Sequence, residues 1–288
     1  DDVFIVGWGS GVTAGAALQG PVRRITAVEL EPAVVESSRW FDDVNHGART
    51  DPRVQLFEDD ARHILLASED TYDVIVSEPP HPWVAGVANL FTRDFYGLAA
   101  RRLRPDGVFV QWLQSYEIAF DTYRSIVATL QSVFPDVMIF NPPGSSDTIL
   151  VASMRPLRID LDRLDERWRD PSTRAELARV GLEGPATLLA GVAIAPDGVR
   201  RLAEGGRINT DDNMYVEFRG PRDRERASAG GVGNVLEELQ GRAAAPESWL
   251  ADPQALLGDR ARLAALVEGM RSVERETARY DALLARTP

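Results

Sequence analysis

Short apolar runs recur through the first half of the chain, separated by stretches whose apolar positions fall at helical spacing. The runs Val3–Val6, Ile25–Glu29, Val54–Phe57, Val74–Ser77, Gly107–Trp112, Val137–Phe140 and Thr148–Ala152 predict seven strands, most of them apolar enough to be covered on both faces. Thr13–Leu18, Pro32–Trp40, Ala61–Leu66, Arg93–Arg102 and Thr122–Phe134 predict the intervening helices, with Pro32 suited to a first helical turn. Strand and helix alternate in the manner of βαβ units and parallel pairing. The last two strands are separated only by Asn141–Asp147, NPPGSSD, which is turn chemistry and too short for a crossover helix, so they form a hairpin. The fold class expected is α/β: a doubly wound, mostly parallel, seven-stranded sheet of the class I methyltransferase-like Rossmann type.

Beyond about Arg155 the pattern changes to short amphipathic stretches rich in Ala, Leu, Arg and Glu. Within them, Asn209–Phe218 (NTDDNMYVEF) reads as a polar turn and then a short alternating strand that returns to the sheet, and Arg219–Gly233 reads as a charged, glycine-rich linker. The predicted organisation is a nucleoside-binding catalytic domain at 1–155, a helical extension at 156–220, and a linker with C-terminal helices at 221–288.

Composition narrows the function. With 44 acidic against 32 basic residues the formal net charge is −12, which disfavours nucleic acid as a partner and suits a small cation. There are no cysteines and three histidines, so neither a disulfide framework nor a zinc motif is expected, and the metal expectation is none. No apolar stretch is long enough to span a bilayer, and a strand starting about three residues into the chain suggests that a longer protein extends upstream.

The first strand runs into Gly7, Gly9 and Gly11 and then a helix, an arrangement that offers backbone N–H groups at close approach. No Gly-Lys-Ser/Thr follows, so it is not a P-loop, and Val12 and the early third glycine break the dinucleotide fingerprint. Glu29, at the end of the second strand, is placed to accept from ribose hydroxyls, with Glu31 two residues on. Asp59 and Asp60 end the third strand before Ala61, where Asp60 can accept from an adenine amino group and either aspartate can equally cap the following helix. The fourth strand ends in SEPPHPW, which puts Glu78 and His81 three residues apart on a proline-stiffened loop, as an acid/base or cation-binding pair or as a buried ion pair and a packed imidazole. Trp83 and Tyr116 are candidate walls for a cationic amine, or core.

The segments GWGSGVTAGA, VELEPAVVE, FEDDARHIL, YDVIVSEPPHPW, LFTRDFY, LRPDGVFVQW and NTDDNMYVEF resemble the catalytic domain of spermidine synthases, the polyamine aminopropyltransferases. They are most similar to bacterial members that often carry an upstream membrane region. The resemblance implies decarboxylated S-adenosylmethionine, or S-adenosylmethionine, as co-substrate over Gly7, Gly9 and Gly11, with Glu29 on the ribose and Asp60 with Ala61 at the adenine. It places Glu78 where the family has its catalytic aspartate, His81 where it has an amine-binding aspartate, and Ser10 where it has an aspartate in the glycine loop. The expected activity is aminopropyl transfer to a small cationic amine such as putrescine. A methyltransferase acting on an amino group and a non-catalytic nucleoside-binding domain of a larger membrane protein are the alternatives. A cytoplasmic chain, or the cytoplasmic part of a membrane protein, and a homodimer complete the expectations.

Overall fold

A computed structural model describes residues 1–84, 86–142, 145–228, 235–240, 248–265 and 268. Eight strands form one sheet in the order β3-β2-β1-β4-β5-β7-β6-β8. They are β1 (Asp2–Val6), β2 (Arg24–Glu29), β3 (Val54–Glu58), β4 (Tyr72–Ser77), β5 (Leu103–Gln114), β6 (Asp136–Phe140), β7 (Asp147–Ser153) and β8 (Val192–Ile194). β1 to β5 pair in parallel, and β7 runs antiparallel to both β5 and β6. The doubly wound α/β sheet and its terminal hairpin are those the apolar pattern predicts. The count differs by one: β8, only three residues long and antiparallel to β6, is too short to stand out in the sequence. Pro143 and Gly144 of the hairpin turn lie outside the described residues.

The helices of the sheet domain are α1 (Val12–Leu18), α2 (Pro32–Ser37), α3 (Asp42–Asn45), α4 (Ala61–Ala67), α5 (Arg93–Arg102) and α6 (Phe120–Gln131). The single helix expected over Pro32–Trp40 is instead α2, a 3-10 turn at Ser38–Phe41, and α3. β1 shows why its run is unbroken. Phe4 and Val6 pack into one core with α5 and α6, while Val3 and Ile5 pack into another with Ala14 and Leu18 of α1. Burial on both faces removes any polar alternation.

The extension contributes α7 (Leu161–Trp168), α8 (Pro171–Ala178), α9 (Pro185–Ala190), α10 (Pro196–Ala203), α11 (Tyr215–Ser228), α12 (Val235–Gln240) and α13 (Pro253–Gly258). Met138 of β6 shares a third apolar cluster with Leu189, Ala195, Trp249 and Leu250, which fastens the extension to the end of the sheet. Two expectations are corrected here. The MYVEF run is not a strand but the start of α11, and the predicted linker is helical from Arg219 to Ser228. Residues 229–234 and 269–288, where the rest of the linker and the last predicted helix fall, lie outside the described residues. Among the described residues no helix is long and apolar enough to cross a membrane.

Candidate active site

The C-terminal ends of β1 to β4 carry the candidate residues along one edge of the sheet. Gly7, Gly9 and Gly11 have φ of 87°, 55° and 78°, the left-handed region that side chains disfavour, so the turn from β1 into α1 needs all three. A Cβ at Gly11 would stand 2.8 Å from the Trp8 ring, whereas a Cβ at Gly9 would meet nothing within 4 Å. The loop is therefore packed beneath and open above Gly9.

Glu29 closes this loop from β2. Its Oε2 accepts from the backbone N–H groups of Trp8, at 2.9 Å, and Gly9, at 3.3 Å, and its Oε1 accepts from Glu31 N at 3.1 Å. Glu31 caps α2 through Ala33 N. At the end of β3, Asp60 caps α4 by accepting from Arg62 N at 2.7 Å, and Asp59 accepts from Asp60 N and lies 3.6 Å from His63. Ala61, the first residue of α4, is buried.

Glu78 follows β4, its N–H bonded to Val6 O, and its Oε2 accepts from Thr13 Oγ1 at 2.7 Å. The residue is exposed, and protein on one side of its carboxylate partly desolvates it. That desolvation pushes its pKa up, and the Thr13 bond only partly opposes it. Thr13 lies in the first turn of α1, directly after the glycine loop, so this bond brings the candidate base beside the candidate nucleoside loop. It was not among the residues expected from sequence.

His81 lies among aromatic rings. Trp83 stands edge-on at 4.4 Å between centroids, Trp112 at 5.5 Å and Tyr116 at 5.6 Å, and the Tyr116 hydroxyl is 3.2 Å from His81 Nε2. The Arg224 guanidinium sits over the Trp83 ring at 5.6 Å. Burial first, then the charges of Asp147 and Glu117, push the Tyr116 phenol up from its ordinary pKa. Trp112 joins this wall from β5, where alternation along the strand is the only sequence signal for it.

Helix α11 holds the loop from outside. Glu217 accepts from Gly86 N at 3.1 Å, and Gly220 lies so close that an added Cβ would be 3.1 Å from Pro82 O and from Trp83 N and Cα. Just before the helix, Asn209 donates to Phe91 O and accepts from Val216 N, and Asp211 pairs with Arg62 of α4 at 2.5 Å. A separate cleft of about 520 Å³ runs between α4 and α5, lined by Arg62, His63, Arg93 and Arg101 among others. It contains none of the expected site residues. Among the described residues no group of three or more His, Asp and Glu side chains is placed to hold a metal ion.

Residues 1–143 match the spermine/spermidine synthase domain. Over that stretch, just under half of its length, the chain is similar to the spermidine synthase family. It is 33% identical over 136 residues to a polyamine aminopropyltransferase of Oceanobacillus iheyensis, covering 46% of this chain and 27% of the relative. It is 29% identical over 182 residues to that of Bacillus subtilis, covering 60% and 64%. The chain thus spans about a quarter of one relative's length and under two thirds of the other's.

Two solved spermidine synthases resemble this chain in fold. One, from Thermotoga maritima, has a TM-score of 0.54 at 20% identity and covers 71% of this chain and 68% of its own. The other, in complex with the transition state analogue AdoDATO, has a TM-score of 0.53 at 20% identity with the same coverage.

Proposed function

We propose that this chain transfers an aminopropyl group from decarboxylated S-adenosylmethionine to the nitrogen of a small amine. The observation that carries this reading is the Thr13–Glu78 bond, which sets a carboxylate of raised pKa next to the glycine loop. The space above Gly9 and the N–H groups fixed by Glu29 suit the ribose and the chain of an adenosyl-sulfur donor, with Asp60 and Ala61 toward its adenine. The AdoDATO complex of a family member of like fold supports the decarboxylated donor.

The donor brings a sulfonium leaving group, so the protein has only to align the amine, keep it unprotonated and exclude water. Glu78 holds the attacking nitrogen and takes its proton as the new C–N bond forms and the C–S bond breaks. Pro79 and Pro80 stiffen the loop, and α11 braces it through Gly86, Pro82 and Trp83. His81, Trp83, Trp112 and Tyr116 form the wall along which the rest of the amine lies. A cytoplasmic setting, a homodimer and an upstream membrane region belong to the same proposal.

Mass spectrometry of reactions with putrescine tests it. With decarboxylated S-adenosylmethionine, the expected products are methylthioadenosine and an amine heavier by one aminopropyl group. A methylated amine formed from S-adenosylmethionine instead overturns the reading in favour of methyl transfer.

A further inference from the structure

The cleft between α4 and α5 is braced at both ends by arginines that cross it. Arg62 of α4 donates to Asn89 O at 3.0 Å, just ahead of α5, and pairs with Asp211. Arg102, at the end of α5, donates back to Leu65 O at 2.9 Å and Leu66 O at 3.3 Å of α4. Between these braces the two walls part and leave about 520 Å³, within the range of roughly 300–1,000 Å³ typical of small-molecule sites.

Arg93, Gly97 and Arg101 follow one another at intervals of four along the α5 wall, so they share a face, with each arginine about 6 Å along the axis from the glycine. Both arginines are exposed, and their guanidinium groups make no hydrogen bond or ion pair among the described residues. In a chain with 44 acidic and 32 basic residues, two unmatched arginines on one wall stand out. Arg62 is matched by Asp211. The one acid of the lining, Asp94, turns to the Asp211 backbone, accepting from its N–H at 2.9 Å. His63 lies on the α4 wall, with Nδ1 3.6 Å from Asp59 and its other ring nitrogen left as a further donor.

Gly97 is the second observation. The nearest neighbour of an added Cβ would be Arg101 Nη1 at 3.7 Å, an ordinary contact, so packing does not require a glycine there. Glycine inside a helix is less stable than alanine. Its use at the middle of the α5 wall keeps the floor of the cleft low, with the Arg101 guanidinium folded back over it.

We propose that this cleft binds a small organic phosphate, separate from the donor and acceptor sites. The phosphate lies over Gly97 between Arg93 and Arg101, and the organic body rests on Leu66, which is exposed, and Leu98. Two guanidinium forks match a phosphate monoester, which carries nearly two negative charges at neutral pH, better than a single carboxylate.

Calorimetry on the whole chain at fixed ionic strength tests this with phenyl phosphate and inorganic phosphate. Phenyl phosphate binds at one site and more tightly than inorganic phosphate. Arg93→Gln and Arg101→Gln each weaken it roughly 10-fold, the scale of a charged hydrogen bond, without changing the melting temperature, since neither side chain has a protein partner. Gly97→Ala raises the melting temperature yet weakens binding several-fold, a pairing of signs that a purely structural glycine does not produce. Saturating methylthioadenosine leaves the phosphate isotherm unchanged. The site is overturned by the absence of saturable binding, by displacement with methylthioadenosine, or by wild-type affinity in the three variants. Equal affinity for inorganic phosphate overturns the organic body and leaves a site for free phosphate. Tighter binding of hexaglutamate than of phenyl phosphate overturns the small ligand in favour of an acidic protein partner.

Discussion

The Thr13 hydroxyl donates to the Glu78 carboxylate at 2.7 Å, across 65 positions of sequence. It ties the first turn after the glycine loop to the end of β4, so that donor and acceptor sites share a boundary. Burial raises the Glu78 pKa and this bond lowers it, with burial the larger effect. A carboxylate shifted upward is a better proton acceptor at neutral pH than an ordinary one.

The acid limb of kcat/KM therefore falls above the ordinary glutamate value of 4.5. Thr13→Val removes the opposing bond and moves the limb to still higher pH. A pH profile checks both, and a limb at or below 4.5, or one that ignores Thr13→Val, contradicts the assignment.

The same shift has a consequence for stability. Between 4.5 and the raised native value, the folded state binds a proton at Glu78 that the unfolded state does not, so stability falls as pH rises through that window. Glu78→Gln removes this dependence. Denaturant midpoints measured across the window should decline more steeply in wild type than in the variant, and parallel curves would count against a raised Glu78 pKa.

Glu29→Ala is expected to weaken binding of methylthioadenosine by about 1.5–3 kcal/mol, the scale of hydrogen bonds to a charged group. Calorimetry reads it directly. The variant also frees the N–H groups of Trp8 and Gly9, so unchanged affinity would mean that neither the carboxylate nor the loop it holds meets the nucleoside.

Helix α11 is expected to behave as part of the site domain. Asp223, fully buried, accepts from Thr122 Oγ1 and from Ala119 N at the start of α6, so Asp223→Ala should cost about 1–3 kcal/mol of stability. Gly220→Val, crowding the backbone at Pro82 and Trp83, should raise the KM for the amine more than it weakens nucleoside binding. Wild-type melting in Asp223→Ala would show that α11 is only loosely attached.

The sheet was legible because burial on both faces leaves continuous apolar runs, as in β1. The glycine loop was legible because its three positive φ angles can hardly be supplied by other residues. α11 was not, since its buried positions are Val216, Gly220 and Asp223, at helical spacing but with only one apolar residue among them. Phe218, the residue that made MYVEF look like an alternating strand, is 65% exposed. The charged stretch after it resembles a linker because exposed helix and linker share a composition rich in Arg and Glu. Asp59 and Asp60 show the reverse case: their positions were legible, but the helix cap that Asp60 makes uses an oxygen that sequence alone left open for a ligand. The Thr13–Glu78 bond joins distant segments, and no local pattern encodes it.

The most direct measurement is single-turnover aminopropyl transfer by wild type and Glu78→Gln, with nucleoside affinity measured on the same preparations. Glu78→Gln keeps the shape and a hydrogen bond but loses the charge and basicity. Transfer should fall roughly 10²- to 10⁴-fold, the range for a lost general base, with methylthioadenosine affinity nearly intact. Equal transfer rates in the two proteins would contradict Glu78 as the residue that holds and deprotonates the amine.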